Sequence, residues 1–168
     1  HIIDGLLRYT GSFPEGIHKL KANYYLAETF FEIREFDKAI PSYQIVLKEE
    51  QNEFSEESLN KLSQIYLSKE GFNDALPLLD RLEEEAYKIE NIRYAQSNLM
   101  RVYFEIEAYD LAIAYAKKVL LRDKLDTNLE NDANIVIARA SLKTDDLLAA
   151  EEFYKHVQKN ARGEIKAE

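Results

Sequence analysis

The feature that most constrains this chain is a pattern that returns four times. In Leu26–Val46, LAETFFEIREFDKAIPSYQIV, two short apolar stretches flank a turn at Arg34–Phe36. Leu26, Ala27 and Phe30 precede the turn; Ala39, Tyr43 and Val46 follow at i, i+4 and i+7, the spacing of one helical face. Downstream, Leu62, Ser63 and Tyr66 precede Ala75, Leu79 and Leu82. Leu99, Met100 and Tyr103 precede Ala112, Ala116 and Val119, and Val136, Ile137 and Ala140 precede Ala149, Phe153 and His156. The pivot alanines Ala39, Ala75, Ala112 and Ala149 recur at intervals of 36, 37 and 37 residues, each twelve residues after a partner on the first helix of its pair. Pro41 and Pro77 both fall two residues after their pivot, which supports a shared register. A helix pair closed through small residues buries one face within itself and leaves another for a neighbour, so the period predicts stacked helix pairs.

This pattern resembles the tetratricopeptide repeat, whose consensus reads W-x2-L-G-x2-Y…A-x3-F…P with a period of about 34 residues. The matching segments are L-A-x2-F…A-x3-Y in the first unit, L-S-x2-Y…A-x3-L in the second, L-M-x2-Y…A-x3-A in the third and V-I-x2-A…A-x3-F in the fourth. The opening Trp is absent, the Gly is replaced and the closing Pro is missing; the extra residues per period are assigned to longer loops. The resemblance covers roughly Ile17 to Asn160 and implies an all-α, right-handed tetratricopeptide (TPR) superhelix, a solenoid of about four helix-turn-helix repeats with partial repeats at both ends. The expected organisation is a single TPR domain over 1–168, excised from a longer repeat protein, with repeats near 17–52, 55–88, 92–124 and 128–160.

Composition agrees with helices and narrows function. Five Gly and three Pro in 168 residues are too few for a fold of many turns. A net charge of −9 argues against broad binding to a phosphate backbone. There is no cysteine, hence no disulfide frame or thiolate metal site. No apolar run approaches the length of a membrane span. Asp4 and Arg8 interrupt any signal-peptide core in HIIDGLLRYTG.

Along the chain, Ile2 to Tyr9 reads as the end of a helix with Ile3, Leu6 and Leu7 as its apolar edge, followed by a loop from Thr10 to Gly16. The first helix pair is expected at Ile17–Arg34 and Asp37–Glu50. Ser55 is expected to cap the next helix, with Glu56 and Glu57 favouring its N-terminal dipole, and Gly71 to close it. Turns are expected at Glu107–Tyr109 and Lys143–Asp146, with Asn128 as a cap. GEIKAE, Gly163 to Glu168, is similar to EGIHKLKA, Glu15 to Ala22, and so predicts the start of a further helix. On that reading Ile3, Leu6 and Leu7 at one end, and Phe153 and Val157 at the other, are uncovered faces inviting end-to-end self-association.

No catalytic, cofactor-binding or metal-binding residue is expected. His1, His18 and His156 lie in different units with no zinc-ligand spacing, and His156 is expected at a helix interface. Glu83, Glu84 and Glu85 point in different directions around a helix and read as a solvated face. Phosphate loops and nucleophile motifs are absent. In the tetratricopeptide family the first helix of each pair, helix A, lines the groove that holds a partner. By that resemblance the candidate partner-binding residues are Tyr24, Glu28, Phe31, Asn60, Gln64, Leu67, Tyr94, Arg101 and Phe104, with Phe31, Leu67 and Phe104 as apolar rungs. The alternative for these rungs is packing against the neighbouring repeat. The family's clamp for C-terminal carboxylates is rejected: its positions here include Tyr24, Glu28, Lys61, Tyr94 and Asn98, and Glu28 would repel a carboxylate.

The expected function is a non-enzymatic protein-protein interaction scaffold. The alternatives are a glycan- or ligand-binding module using helix A aromatics, or an oligomerisation module. The expected partner is a protein or peptide, with neither nucleic acid nor a membrane span involved. A second resemblance, confined to Ala22–Glu28 and Asp37–Tyr43, is to TPR proteins of the Gram-negative envelope, the outer-membrane-assembly lipoproteins and Tol-Pal coordinators. It implies a periplasmic or outer-membrane-associated setting; the compartment stays open between these and the cytoplasm.

Overall fold

A computed structural model describes residues 2–167, and the side chains through Gly163. His1 and Glu168, and the readings that fall on them, lie outside the described residues. Nine α-helices and no strand occur among the described residues. They are α1 (Ile2–Ser12), α2 (Lys19–Glu32), α3 (Phe36–Lys48), α4 (Ser55–Ser68), α5 (Phe72–Glu85), α6 (Ile89–Glu105), α7 (Tyr109–Leu120), α8 (Thr127–Lys143) and α9 (Leu147–Ala167). The fold is all-α, built of helix pairs α2/α3, α4/α5, α6/α7 and α8/α9. The helices fall into two compact units, divided between Asn91 and Ile92.

Each pair closes through a tight turn whose geometry repeats. Arg34, Glu70, Glu107 and Asp145 all have left-handed backbone, with φ of 62°, 55°, 63° and 60°. The following N–H reaches back five residues to end helix A: Glu35 to the Phe30 carbonyl (2.9 Å), Gly71 to Tyr66 (2.9 Å), Ala108 to Tyr103 (2.8 Å) and Asp146 to Ser141 (2.8 Å). This is the Schellman termination, usually served by glycine at the left-handed position. Here a charged residue occupies it every time. Gly71 sits one residue later with ordinary φ, opening α5 instead of serving as the left-handed residue that closes α4.

Five residues after each left-handed residue comes a buried alanine: Ala39, Ala75 and Ala112 at 0% exposure and Ala150 at 2%. The fourth pivot is therefore Ala150, not Ala149, which is only half-buried. Its partner twelve residues earlier is Ala138, fully buried like Ala27, Ser63 and Met100 in the other pairs. His156, expected at an interface, is exposed, while Phe153 packs against the core of the second unit.

In the first unit Tyr43, Leu59, Leu62, Ile65, Leu79 and Leu82 are fully buried side chains. Each such aliphatic contributes about 2 kcal/mol relative to exposure. In the second, Met100, Ala116, Val119, Ala133 and Ile137 form the core, with Tyr115, Leu129, Val136 and Phe153 against it. Pro41 and Pro77 lie inside α3 and α5, each deleting one early backbone hydrogen bond.

Several local expectations change. The first helix runs on to Ser12 and so takes in Thr10 and Gly11. Ser55 lies within α4, and its hydroxyl accepts the Asn52 N–H (2.9 Å) instead of capping the helix. Asp126, not Asn128, caps α8, accepting the Leu129 N–H at 3.1 Å. GEIKA does not start a new helix, because α9 continues through Gly163 to Ala167. Phe153 and Val157 are half-buried, and the outer face of α9 carries Glu151, Glu152, Lys155, Gln158 and Lys159. An amphipathic helix puts its apolar stripe on the helices it packs against, here chiefly α8, and its charges in water.

Candidate partner-binding site

The A-helix residues of the first unit are largely committed within the molecule. Tyr24 on α2 stacks on Phe54, ring centroids 4.6 Å apart, and meets Tyr25 edge-on at 5.4 Å. Burial, then the nearby Glu28 carboxylate, pushes the Tyr24 phenol up to about 12. Glu28 accepts a hydrogen bond from the phenol of Tyr43 on α3, and burial together with that bond raises Tyr43 above the ordinary tyrosine value. Phe31 lies 5.4 Å from Phe36, with the Lys61 ammonium 4.6 Å above its ring.

On α4, Asn60 is buried. Its amide donates to Asn91 Oδ1 at 2.8 Å and its carbonyl oxygen accepts from Gln64. Asn91 also donates to Glu56 at 2.7 Å, and Glu56 accepts the backbone N–H groups of Lys88 (3.0 Å) and Tyr87 (3.2 Å). Burial alone would raise the Glu56 carboxyl, but these donors outweigh it and hold the group below the ordinary carboxylate value. This chain of polar groups fixes the loop that leads into α6. Leu67 is half-buried one turn beyond Gln64.

In the second unit the expected residues lie on α6. Tyr94 is half-buried on the first turns of α6, and its backbone carbonyl accepts from the Asn98 amide at 2.9 Å. Arg101 and Phe104, further along α6, face α8 across a cleft of about 190 Å³. Glu105, Asp132, Ile135, Val136 and Arg139 complete its lining. Arg101 and Asp132 are ion-paired at 2.7 Å, both side chains close to half exposed. Phe104 meets Tyr109 edge-on at 5.7 Å and carries the Arg139 guanidinium over its ring, 4.9 Å from the centroid. Ile135 and Val136 are half-buried and supply the apolar part of the wall.

Arg139 is not among the expected residues, none of which lies in the fourth pair. Glu28, Gln64 and Arg101 each follow the buried helix A partner of their pivot by one residue. With Ala138 as the fourth partner, Arg139 takes that same position; with Ile137 it does not. The left-handed turn at Asp145 is the feature that sets the register, and nothing in an Asp-Asp-Leu-Leu-Ala-Ala run announces it.

No protein-family model matches the chain, and no curated protein matches it in sequence. Solved structures do match. A MamA RS-1 ArsTM double mutant aligns with a TM-score of 0.68 at 15% identity, over 96% of this chain and 84% of that one. Another MamA structure aligns at 0.65 and 18% identity, over 98% and 91%. A putative kinesin light chain from Podosopora anserina with nearly identical TPR-like repeats aligns at 0.59 and 16%, over 98% and 87%. The fold is that of TPR-like repeat proteins. At these identities the likeness is one of fold, and the TPR-like architecture makes α2, α4, α6 and α8 the A helices. No helix among the described residues is long and apolar enough to cross a membrane.

Proposed function

We propose that the chain is a non-enzymatic protein-interaction module that takes a partner segment on the exposed faces of its A helices, with the α6–α8 cleft as the docking point. The observation that supports this reading is that Arg101 and Phe104, two of the expected A-helix residues, line one cleft together. The α6–α8 cleft offers an apolar wall beside an exposed guanidinium. A small number of apolar contacts with a few placed polar groups is the usual make-up of a recognition site. The resemblance of Ala22–Glu28 and Asp37–Tyr43 to envelope TPR proteins supports placing the module in a larger bacterial envelope protein.

The test is selection of displayed random peptides on the full chain, followed by titration with Phe104→Ala. Binding should fall at least several-fold in that variant while the melting transition holds. Selected peptides indifferent to Phe104 would move the site elsewhere. Saturable binding of oligosaccharides, with no peptide selected, would favour the glycan-binding alternative.

A further inference from the structure

The charge distribution in the α6–α8 cleft specifies more than an apolar partner. Four charged groups line it. Arg101 and Asp132 neutralise each other at 2.7 Å. That leaves Arg139 on α8 and Glu105 on α6, both exposed. Neither has an ion-pair partner among the described residues. The Arg139 guanidinium is not loose: it rests over the Phe104 ring at 4.9 Å, which fixes its plane and leaves its N–H donors to a group entering the cleft. Glu105 lines the same cleft from α6.

We propose that this cleft takes an extended peptide segment carrying one acidic and one basic side chain about an apolar one. The acidic group pairs with Arg139, the basic group with Glu105, and the apolar side chain rests on Phe104, Ile135 and Val136. The inference rests on the interaction-module reading and adds the chemistry of the segment. A segment with only acidic charges would set a carboxylate against Glu105, and one with only basic charges would set a cation against Arg139. Juxtaposed like charges disfavour wrong partners more strongly than matched exposed pairs favour right ones, so the cleft discriminates against both.

The experiment selects a displayed random peptide library on the full wild-type chain and, in parallel, on Arg139→Glu. Arg139 is exposed, with its guanidinium over a ring face, so this variant should keep the wild-type melting transition; Arg139→Gln serves if it does not. Wild-type binders should be enriched in segments holding an acid and a base around an apolar residue. The Arg139→Glu selection should lose the acid and gain a second base. A synthetic peptide from the wild-type pool should weaken by about fivefold on replacing its acid by the amide, and weaken further with added salt. Binders that depend on Phe104 but show no charge preference, or the same preference on both chains, would overturn this inference and leave the interaction-module reading standing. Failure to select any peptide on either chain would overturn both.

Discussion

The phenol of Tyr43, fully buried on α3, donates its hydrogen bond to the carboxylate of Glu28 on α2. One bond thereby closes the first helix pair and occupies a charge that would otherwise face a partner. Tyr43→Phe removes the donor and returns a half-buried carboxylate to water, which should cost about 1.5 kcal/mol. Urea denaturation checks this; an unchanged midpoint would mean that water replaces the bond without loss.

The same pair predicts alkaline sensitivity. Tyr43 is raised by burial and by its bond to Glu28, and Tyr24 is pushed up to about 12 by burial and then Glu28. Both phenols hold their protons more tightly folded than unfolded. Their contribution is thus complete below the unfolded tyrosine value of about 10 and is lost as pH rises through the folded values. The denaturation midpoint should fall steadily above pH ~10, and less steeply in Tyr43→Phe.

Glu56 gives the opposite sign. Its carboxyl is held low by Asn91 and the Lys88 and Tyr87 amides, against the effect of burial. Its contribution is present above the ordinary carboxylate value and disappears as pH falls through the folded one. Glu56→Ala should cost about 2 kcal/mol near neutrality. In acid the gap between variant and wild type should narrow, as read by midpoints at pH ~6 and pH ~3.

The charged residues in left-handed turns predict stabilising substitutions. A side chain there costs about 1–2 kcal/mol, which glycine avoids, less the extra freedom it gives the unfolded chain. Glu107→Gly should raise stability by about 0.5 kcal/mol, and Glu107→Val should lower it by about 1 kcal/mol. Asp145→Gly should gain less, since Asp tolerates this backbone better. Equal effects of Gly and Val at 107 would contradict the turn geometry.

The fourth-repeat register can be tested by overpacking. Ala150→Leu, at 2% exposure, should cost about 1–3 kcal/mol, as should Ala75→Leu. Ala149→Leu should cost under about 1 kcal/mol. The reverse order would restore Ala149 as the pivot.

Hydrogen exchange should be fastest in α1, where no residue is buried. The 147–157 segment of α9, anchored by Ala150 and Phe153, should be protected better. Equal protection in the two would show that α1 is held more firmly than its burial allows.

Sequence by itself determined the approximate helix-pair period, the apolar faces of the first three helix pairs and the placing of three pivots. These are local consequences of 3.6-residue geometry and of small residues where helices touch, so they are visible within a few turns of chain. It did not determine the fourth register, because Ala149 and Ala150 both satisfy the small-residue rule and only the turn at Asp145 chooses between them. Nor did it separate residues spent on packing from those left for a partner. Glu28 is taken by a phenol fifteen positions away and Asn60 by an amide thirty-one away, while Arg139 settles on the ring of Phe104 in the preceding repeat. Such pairings depend on which side chains the stacked helices bring opposite one another. Tertiary structure alone decides that, because periodicity fixes which way a residue faces and not what it meets there.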